Sequence, residues 1–168
     1  MFDLGGKSAL VTGASGDIGG AVARALYGSG ATVALTGRNV QALAALAEEF
    51  GERAHLIPGD LAKAEAVTAV AKAAEEALGT VDILVNNMGV YEPKSFFDVL
   101  DEDWEWMFNA NVMSGVRLTR HYLKRMVDKK HWGRVVFISS ESGVLIPKEM
   151  VHYGFSKSAQ SVSYTHLR

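Results

Sequence analysis

LVTGASGDIGGA, residues 10 to 21, sets a cluster of glycines between a short apolar run and the start of a helical pattern. Glycines gather in any tight turn, so the cluster by itself says little; its place after a strand and before a helix carries the meaning. A helix entered through such a turn presents its first N–H groups with little side-chain cover, an arrangement that seats a dinucleotide pyrophosphate. A phosphate cradle and a plain turn are therefore the two readings, and the rest of the chain bears on the choice.

Further apolar runs rich in β-branched residues follow. SALVT (8–12), TVALT (32–36), AHLIP (54–58), DILVN (82–86) and RVVFIS (134–139) read as buried strands. Residues 18–29, 40–50, 64–78 and 101–129 carry alanine, leucine and valine at helical spacing with charges opposite, and read as helices. Strands alternating with helices imply right-handed crossovers and a parallel sheet covered on both faces. The expected fold class is α/β: a doubly wound, Rossmann-like parallel sheet of strand order 3-2-1-4-5. No linker, repeat or low-complexity tract divides it, so one domain is expected.

Composition narrows the function. The chain has 168 residues, 48% hydrophobic and 21% charged, enough for one globular core. A net charge of -2 leaves no broad basic surface for nucleic acid. The apolar runs fall short of the roughly 20 residues a spanning helix needs, and Met1 is followed by FDLGGK rather than a basic and then an apolar stretch. No membrane partner and a cytoplasmic location are expected. Cysteine is absent, and His55, His121, His131, His152 and His166 lack ligand spacing such as HExxH, so no metal site is expected.

The second strand ends in LTGRN, with Arg38 where an enzyme preferring the unphosphorylated cofactor would hold the ribose with an acid. A guanidinium pairs instead with a 2′-phosphate, so NADP(H) is favoured and NAD(H) is the alternative; a solvated surface arginine is the bland reading. Ser15 offers a further hydroxyl. Near the end, YGFSK sets Tyr153 and Lys157 at i, i+4 on one helix face. A phenol with an ordinary pKa of about 10 exchanges protons poorly near neutrality, and a neighbouring ammonium stabilises its phenolate. Ser140 stands just past RVVFIS, at the carboxyl edge where open parallel sheets bind ligands. Each has an ordinary alternative, an amphipathic surface pair or a turn-forming serine, but their joint occurrence points to proton transfer.

Together these residues resemble the short-chain dehydrogenase/reductase family from about Lys7 to Gln160. TGASGDIG (12–19), with Gly13, Ser15, Gly16, Asp17, Ile18 and Gly19, is similar to the family's cofactor turn. GDL (59–61), with Asp60 and Leu61, resembles its adenine contact, and NNMG (86–89), with Asn87 and Gly89, its NNAG strand end. Asn111 in NANVMSG, Ser140 in ISSESG, and Tyr153 and Lys157 match the catalytic positions. The resemblance implies reversible hydride transfer between a nicotinamide and a small carbonyl or alcohol. Tyr153 would protonate the carbonyl oxygen, Ser140 hold it, Lys157 grip the nicotinamide ribose and activate Tyr153, and Asn111 complete a water relay. For Asn111 the plain alternative is local bonding within its helix, and for Asp60 an equal alternative is a cap on the helix beginning near Ala62.

Two residues depart from the family pattern. Asp17 replaces the turn's second glycine, which is expected to weaken cofactor binding, and Met88 replaces the alanine of NNAG. The first half is similar to bacterial 3-oxoacyl-acyl carrier protein reductases, which adds an acyl carrier protein thioester as a substrate. SSESGVLIPKEMVHYG and NNMGVYEPK look more like a separate subgroup of family reductases. A cofactor-sensing module without turnover is the reading from another class, and a protein-interaction role built on Trp104, Trp106 and Phe108 is a third.

Family members continue past the YxxxK helix through two more strands, so the fold is expected to lack its last strands, to be impaired alone, and to belong to a homo-oligomeric full-length parent. VSYTHLR (162–168) breaks the apolar spacing of the preceding helix and matches the translation of a sequencing adapter. The reductase domain is accordingly expected at 1–161, with 162–168 as read-through.

Overall fold

Alternation along the first strand sorts the interior, because successive side chains of a strand point to opposite faces. In β1 (Ser8–Thr12), Ala9 and Val11 face one side with Val33 and Leu35 of β2 (Thr32–Thr36) and with Ile83 and Val85 of β4 (Ile83–Asn86). Leu10, Ala34 and Leu84 face the other. The computed structural model describes residues 3–128 and 132–165. Helices α1 (Asp17–Gly28) and α2 (Val40–Phe50) cover the first face through Ala23, Leu43, Leu46 and Phe50. Helix α3 (Ala64–Leu78) and a later helix, α5 (Ser114–Asp128), cover the second through Val67, Val70, Ala71, Ala74, Leu118 and Tyr122. Each fully buried aliphatic side chain stabilises this arrangement by roughly 1.5–3 kcal/mol. The Tyr122 hydroxyl donates to Ala71 O at 2.9 Å, tying α5 to α3, and burial pushes its phenol pKa up.

With β3 (Ala54–Leu56) and β5 (Arg134–Phe137), the sheet has five parallel strands among the described residues, in the order β3-β2-β1-β4-β5, as the sequence led us to expect. Local chemistry sets the element ends. Asn39 caps α2 by accepting from the Ala42 N–H at 3.0 Å, and Gly51, at φ 77°, ends it. Strand β3 (Ala54–Leu56) is shorter than the run 54–58: Ile57 still donates to Leu35 O, but Pro58 has no N–H with which to continue the ladder. Strand β5 (Arg134–Phe137) likewise stops short of residue 139. Among the described residues it pairs only with β4, and Val136 is 40% exposed.

The pattern over 101–129 predicted one helix, and the structure divides it. Helix α4 (Asp101–Phe108) passes through a π-helical turn (Asn109–Met113) into α5. The wider turn accommodates an extra residue, which an apolar period of 3.6 does not register. Helix α6 (Val151–Thr165) runs into the stretch 162–168 despite its broken apolar spacing. Tyr164 stacks on Phe137 with ring centroids 5.7 Å apart, and Ser161 and Ser163 hydroxyls donate to Lys157 O and Ala159 O. Residues 166–168, including His166, lie outside the described residues, as do Met1, Lys129 and His131. No helix among the described residues is long and apolar enough to cross a membrane.

Candidate active site

Every strand of a parallel sheet points its carboxyl end the same way, and the candidate residues collect there. The β1–α1 turn requires two of its glycines. Gly13 has φ 64°, and a Cβ on it would lie 3.0 Å from Asn87 Nδ2. A Cβ on Gly19 would stand 2.2 Å from Gly13 O, so the helix can approach the turn this closely only without a side chain. Thr12 and Asn87 lock the neighbouring strand ends. Thr12 Oγ1 donates to Val85 O at 3.1 Å and accepts from the N–H groups of Asn87 and Met88, both at 2.9 Å. Asn87 Nδ2 donates to Thr12 O at 2.9 Å and Gly13 O at 3.3 Å.

These contacts shape a cleft of about 470 Å³ lined by Gly13, residues 15–19 and 37–39, Gly59, Leu61 and residues 87–91. It brings together Gly13, Ser15, Gly16, Asp17, Ile18, Gly19, Arg38, Leu61, Asn87 and Gly89. Helix α1 starts at Gly16 without a side-chain cap, so its first N–H groups have no intrahelical partner and face the turn. Asp17 and Arg38 are exposed at the rim. Asp60 is not among the lining residues; its Oδ1 accepts from the Ala62 N–H at 3.3 Å, a turn bond ahead of α3, and the expected cap on that helix falls to Lys63 instead, because the helix begins only at Ala64. Cleft size, the glycine approaches and the free N–H groups suit an extended anion such as a dinucleotide.

The proton-transfer candidates stand at the Gly89 end of this cleft. A Cβ on Gly89 would be 3.6 Å from Lys157 Nζ and 3.7 Å from Asn111 Oδ1. Lys157 is buried; its Nζ donates to Ile138 O at 3.0 Å and Gln160 Oε1 at 3.1 Å, and lies 5.9 Å from the centre of the Tyr153 ring. Loss of water around the ammonium lowers its pKa from the ordinary 10.5. Asn111 sits in the π turn, where Oδ1 accepts from the Val90 N–H at 2.7 Å and Nδ2 donates to Val90 O and Ser156 Oγ, each at 2.9 Å. Its amide therefore clamps the loop following β4, reaching well beyond its own helix. Ser140 lies just beyond β5, and its Oγ accepts from the Ser142 N–H at 3.2 Å, leaving its own proton to donate. The chain after Ser140 rests on α6 at Gly154, where a Cβ would meet Ser142 O at 2.9 Å. This contact carries Ser140 over the helix that bears Tyr153 and Lys157.

Sequence reading passed over several contributors. Thr12 and Gln160 are buried polar residues whose partners are set by the fold, although Gln160 stands at i+3 from Lys157. Tyr91 lines the cleft and meets the Tyr153 ring edge-on, with centroids 6.3 Å apart. Gly37 is needed because a Cβ there would lie 2.8 Å from Ser15 Oγ. His152 is buried against the edge of Trp104, and neither ring nitrogen has a hydrogen-bond partner among the described residues.

A family model described as short chain dehydrogenase matches residues 7–167. The chain is 42% identical over 164 residues to "Uncharacterized oxidoreductase YvaG" of Bacillus subtilis (strain 168), covering 95% of this chain and 60% of that relative. It is 40% identical over 176 residues to "Nodulation protein G" of Rhizobium meliloti (strain 1021), covering 99% and 71%. Among solved structures, a 3-oxoacyl (acyl-carrier-protein) reductase from Agrobacterium tumefaciens C58 with NADP bound superposes with a TM-score of 0.89 at 35% identity, covering 96% of this chain and 63% of that one. The chain thus spans somewhat under two thirds of the length of the first and third of these.

Proposed function

The chain belongs to the short-chain dehydrogenase family, and from that premise we propose that it serves NADPH-dependent reduction of a ketone to a secondary alcohol. The observation that carries this reading is the position of Lys157 Nζ and Asn111 Oδ1 beside Gly89, at the end of a glycine-walled cleft that begins at Gly13. Residues 15–19 hold the diphosphate, Arg38 pairs with the 2′-phosphate, and Asn87 and Gly89 border the nicotinamide end. Bound there, the reduced dinucleotide supplies a hydride to the carbonyl carbon.

Ser140 donates its free proton to the substrate oxygen and fixes it near Tyr153. Tyr153 passes its phenolic proton to that oxygen as negative charge builds, so the product leaves as a neutral alcohol. Lys157, anchored by Ile138 O and Gln160, sets a positive charge beside the phenol and favours the transient phenolate. Asn111 holds the Val90 backbone, and with it the cleft wall, and with Lys157 completes the water relay that returns a proton to Tyr153. The substrate is a small carbonyl compound, and the protein acts in the cytoplasm. An acyl chain on acyl carrier protein is the second reading, favoured by the solved reductase that resembles this chain.

Arg38→Ala tests the cofactor assignment. NADPH affinity, followed by nucleotide fluorescence, should fall about tenfold or more with NADH affinity unchanged, as expected for loss of a charge-assisted pair. Absence of NADPH binding by the unaltered chain would overturn the proposal.

A further inference from the structure

Two stretches meet near Tyr153: VYEPK after Gly89, whose Val90 and Tyr91 end the cleft lining, and VLIPKEM after Gly143. On one side stands Tyr91, whose ring makes the edge contact with Tyr153 yet is 69% exposed. On the other, Ile146 is seated against Gly154, where a Cβ would be 2.5 Å from Ile146 Cγ2. That contact pins the segment next to Tyr153 while Val144 and Leu145 remain 83% and 66% exposed. The two stretches are tied together, for the Lys94 N–H donates to Glu149 O at 2.7 Å and the Lys94 ammonium pairs with Asp103 at 2.5 Å. Exposed apolar side chains thus stand on the two stretches that reach Tyr153 and its neighbour Gly154, open to solvent. Large apolar side chains grouped at the mouth of a site mark a surface that a ligand covers.

Charge at the same mouth is one-sided. Glu92, Glu141 and Glu149 are exposed there, against Lys148, because Lys94 is already engaged by Asp103. An incoming anion would face these carboxylates, whereas a neutral ligand loses nothing to them.

We propose that Tyr91, Val144 and Leu145 form a substrate wall beside Tyr153 that takes a neutral, apolar ketone and turns away carboxylates and phosphate-bearing thioesters. The inference rests on the ketone-reductase reading and names its substrate class. Tyr91 supplies a flat aromatic surface along one substituent of the carbonyl, and Val144 and Leu145 cover the other.

The test needs no turnover. The full chain, loaded with NADPH, is titrated with a nine-carbon methyl ketone and separately with the same ketone bearing a terminal carboxylate, while the methyl NMR signals of Val144, Leu145 and Ile146 are followed. The neutral ketone should bind at least tenfold tighter and shift these methyls. Tyr91→Ala and Leu145→Ser should each weaken it by about tenfold, the scale set by losing one buried apolar side chain, whereas Tyr91→Phe retains binding. Changing Glu92, Glu141 and Glu149 together to Gln should narrow the preference over the carboxylate. Equal affinity for the two ketones, or unchanged binding by both Tyr91→Ala and Leu145→Ser, would overturn the proposal while NADPH binding by nucleotide fluorescence stays intact. Failure of the unaltered chain to bind NADPH would instead remove the reading beneath it, and the proposal with it.

Discussion

Adding one methyl group to Gly19 should unsettle the whole cofactor turn. An alanine Cβ there would stand 2.2 Å from Gly13 O, 2.8 Å from Gly13 C and 2.6 Å from Asn87 Nδ2. Two of these neighbours are backbone, so no side-chain rotation relieves the overlap and helix α1 must move away from β1. Forced overpacking of this kind costs about 1–3 kcal/mol. Displacing Asn87 loosens its bonds to Thr12 O and Gly13 O, at about 1 kcal/mol each. Alanine's better helix propensity returns about 1 kcal/mol. The net loss is about 2–4 kcal/mol, which at a urea dependence of about 2 kcal/mol per M lowers the unfolding midpoint by about 1–2 M. Gly28, on the same helix, is the control: its Cβ would meet nothing within 4 Å, so Gly28→Ala should raise the midpoint slightly. Urea titrations followed by circular dichroism compare the two. A Gly19→Ala midpoint equal to or above that of Gly28→Ala would refute the close-approach argument.

Other expectations concern charge and proton transfer. Tyr153→Phe should reduce ketone turnover by about 10²-fold or more with NADPH affinity retained, as removal of a general acid does; stopped-flow NADPH oxidation checks it. Asp17→Gly should tighten NADPH about threefold at low salt, the effect fading as salt screens it, and equal dissociation constants would show that the carboxylate points away. The lowered pKa of Lys157 means that the unfolded chain binds the proton more tightly than the folded one between that lowered value and 10.5. Folded stability relative to Lys157→Met should therefore rise with pH through that window, and a flat difference in urea midpoints would refute it.

The sheet order was legible because β1 to β5 are short apolar runs separated by helical patterns, and a right-handed crossover leaves few ways to arrange them. The cleft was legible too, since glycine marks the close approaches at Gly13 and Gly19. What escaped notice depends on long-range geometry. The π turn at Asn109–Met113 keeps the apolar side chains near their helical period, so nothing local announces the inserted residue. For Asn111 the sequence offers a relay role, with bonding within its helix as the plain alternative; neither reading foretells that its amide grips Val90, a partner that only the fold brings near. Asp60 had two readings of equal standing, and the helix-cap one is not met: its bond to Ala62 closes a turn ahead of α3, whose cap is Lys63. Tyr91 carried no signal in the sequence, because its edge contact with the Tyr153 ring joins residues 62 positions apart.

The Thr12–Asn87 clamp has a consequence for the birth of the protein. Its partners are separated by 75 positions, and β4 docks beside β1 only after three crossovers, through α1, α2 and α3, have emerged. During synthesis the glycine loop therefore waits, unlatched, until Asn87 clears the ribosome. Contacts so distant in sequence slow folding, and the early half of the chain passes that interval with the flank of its central strand unguarded.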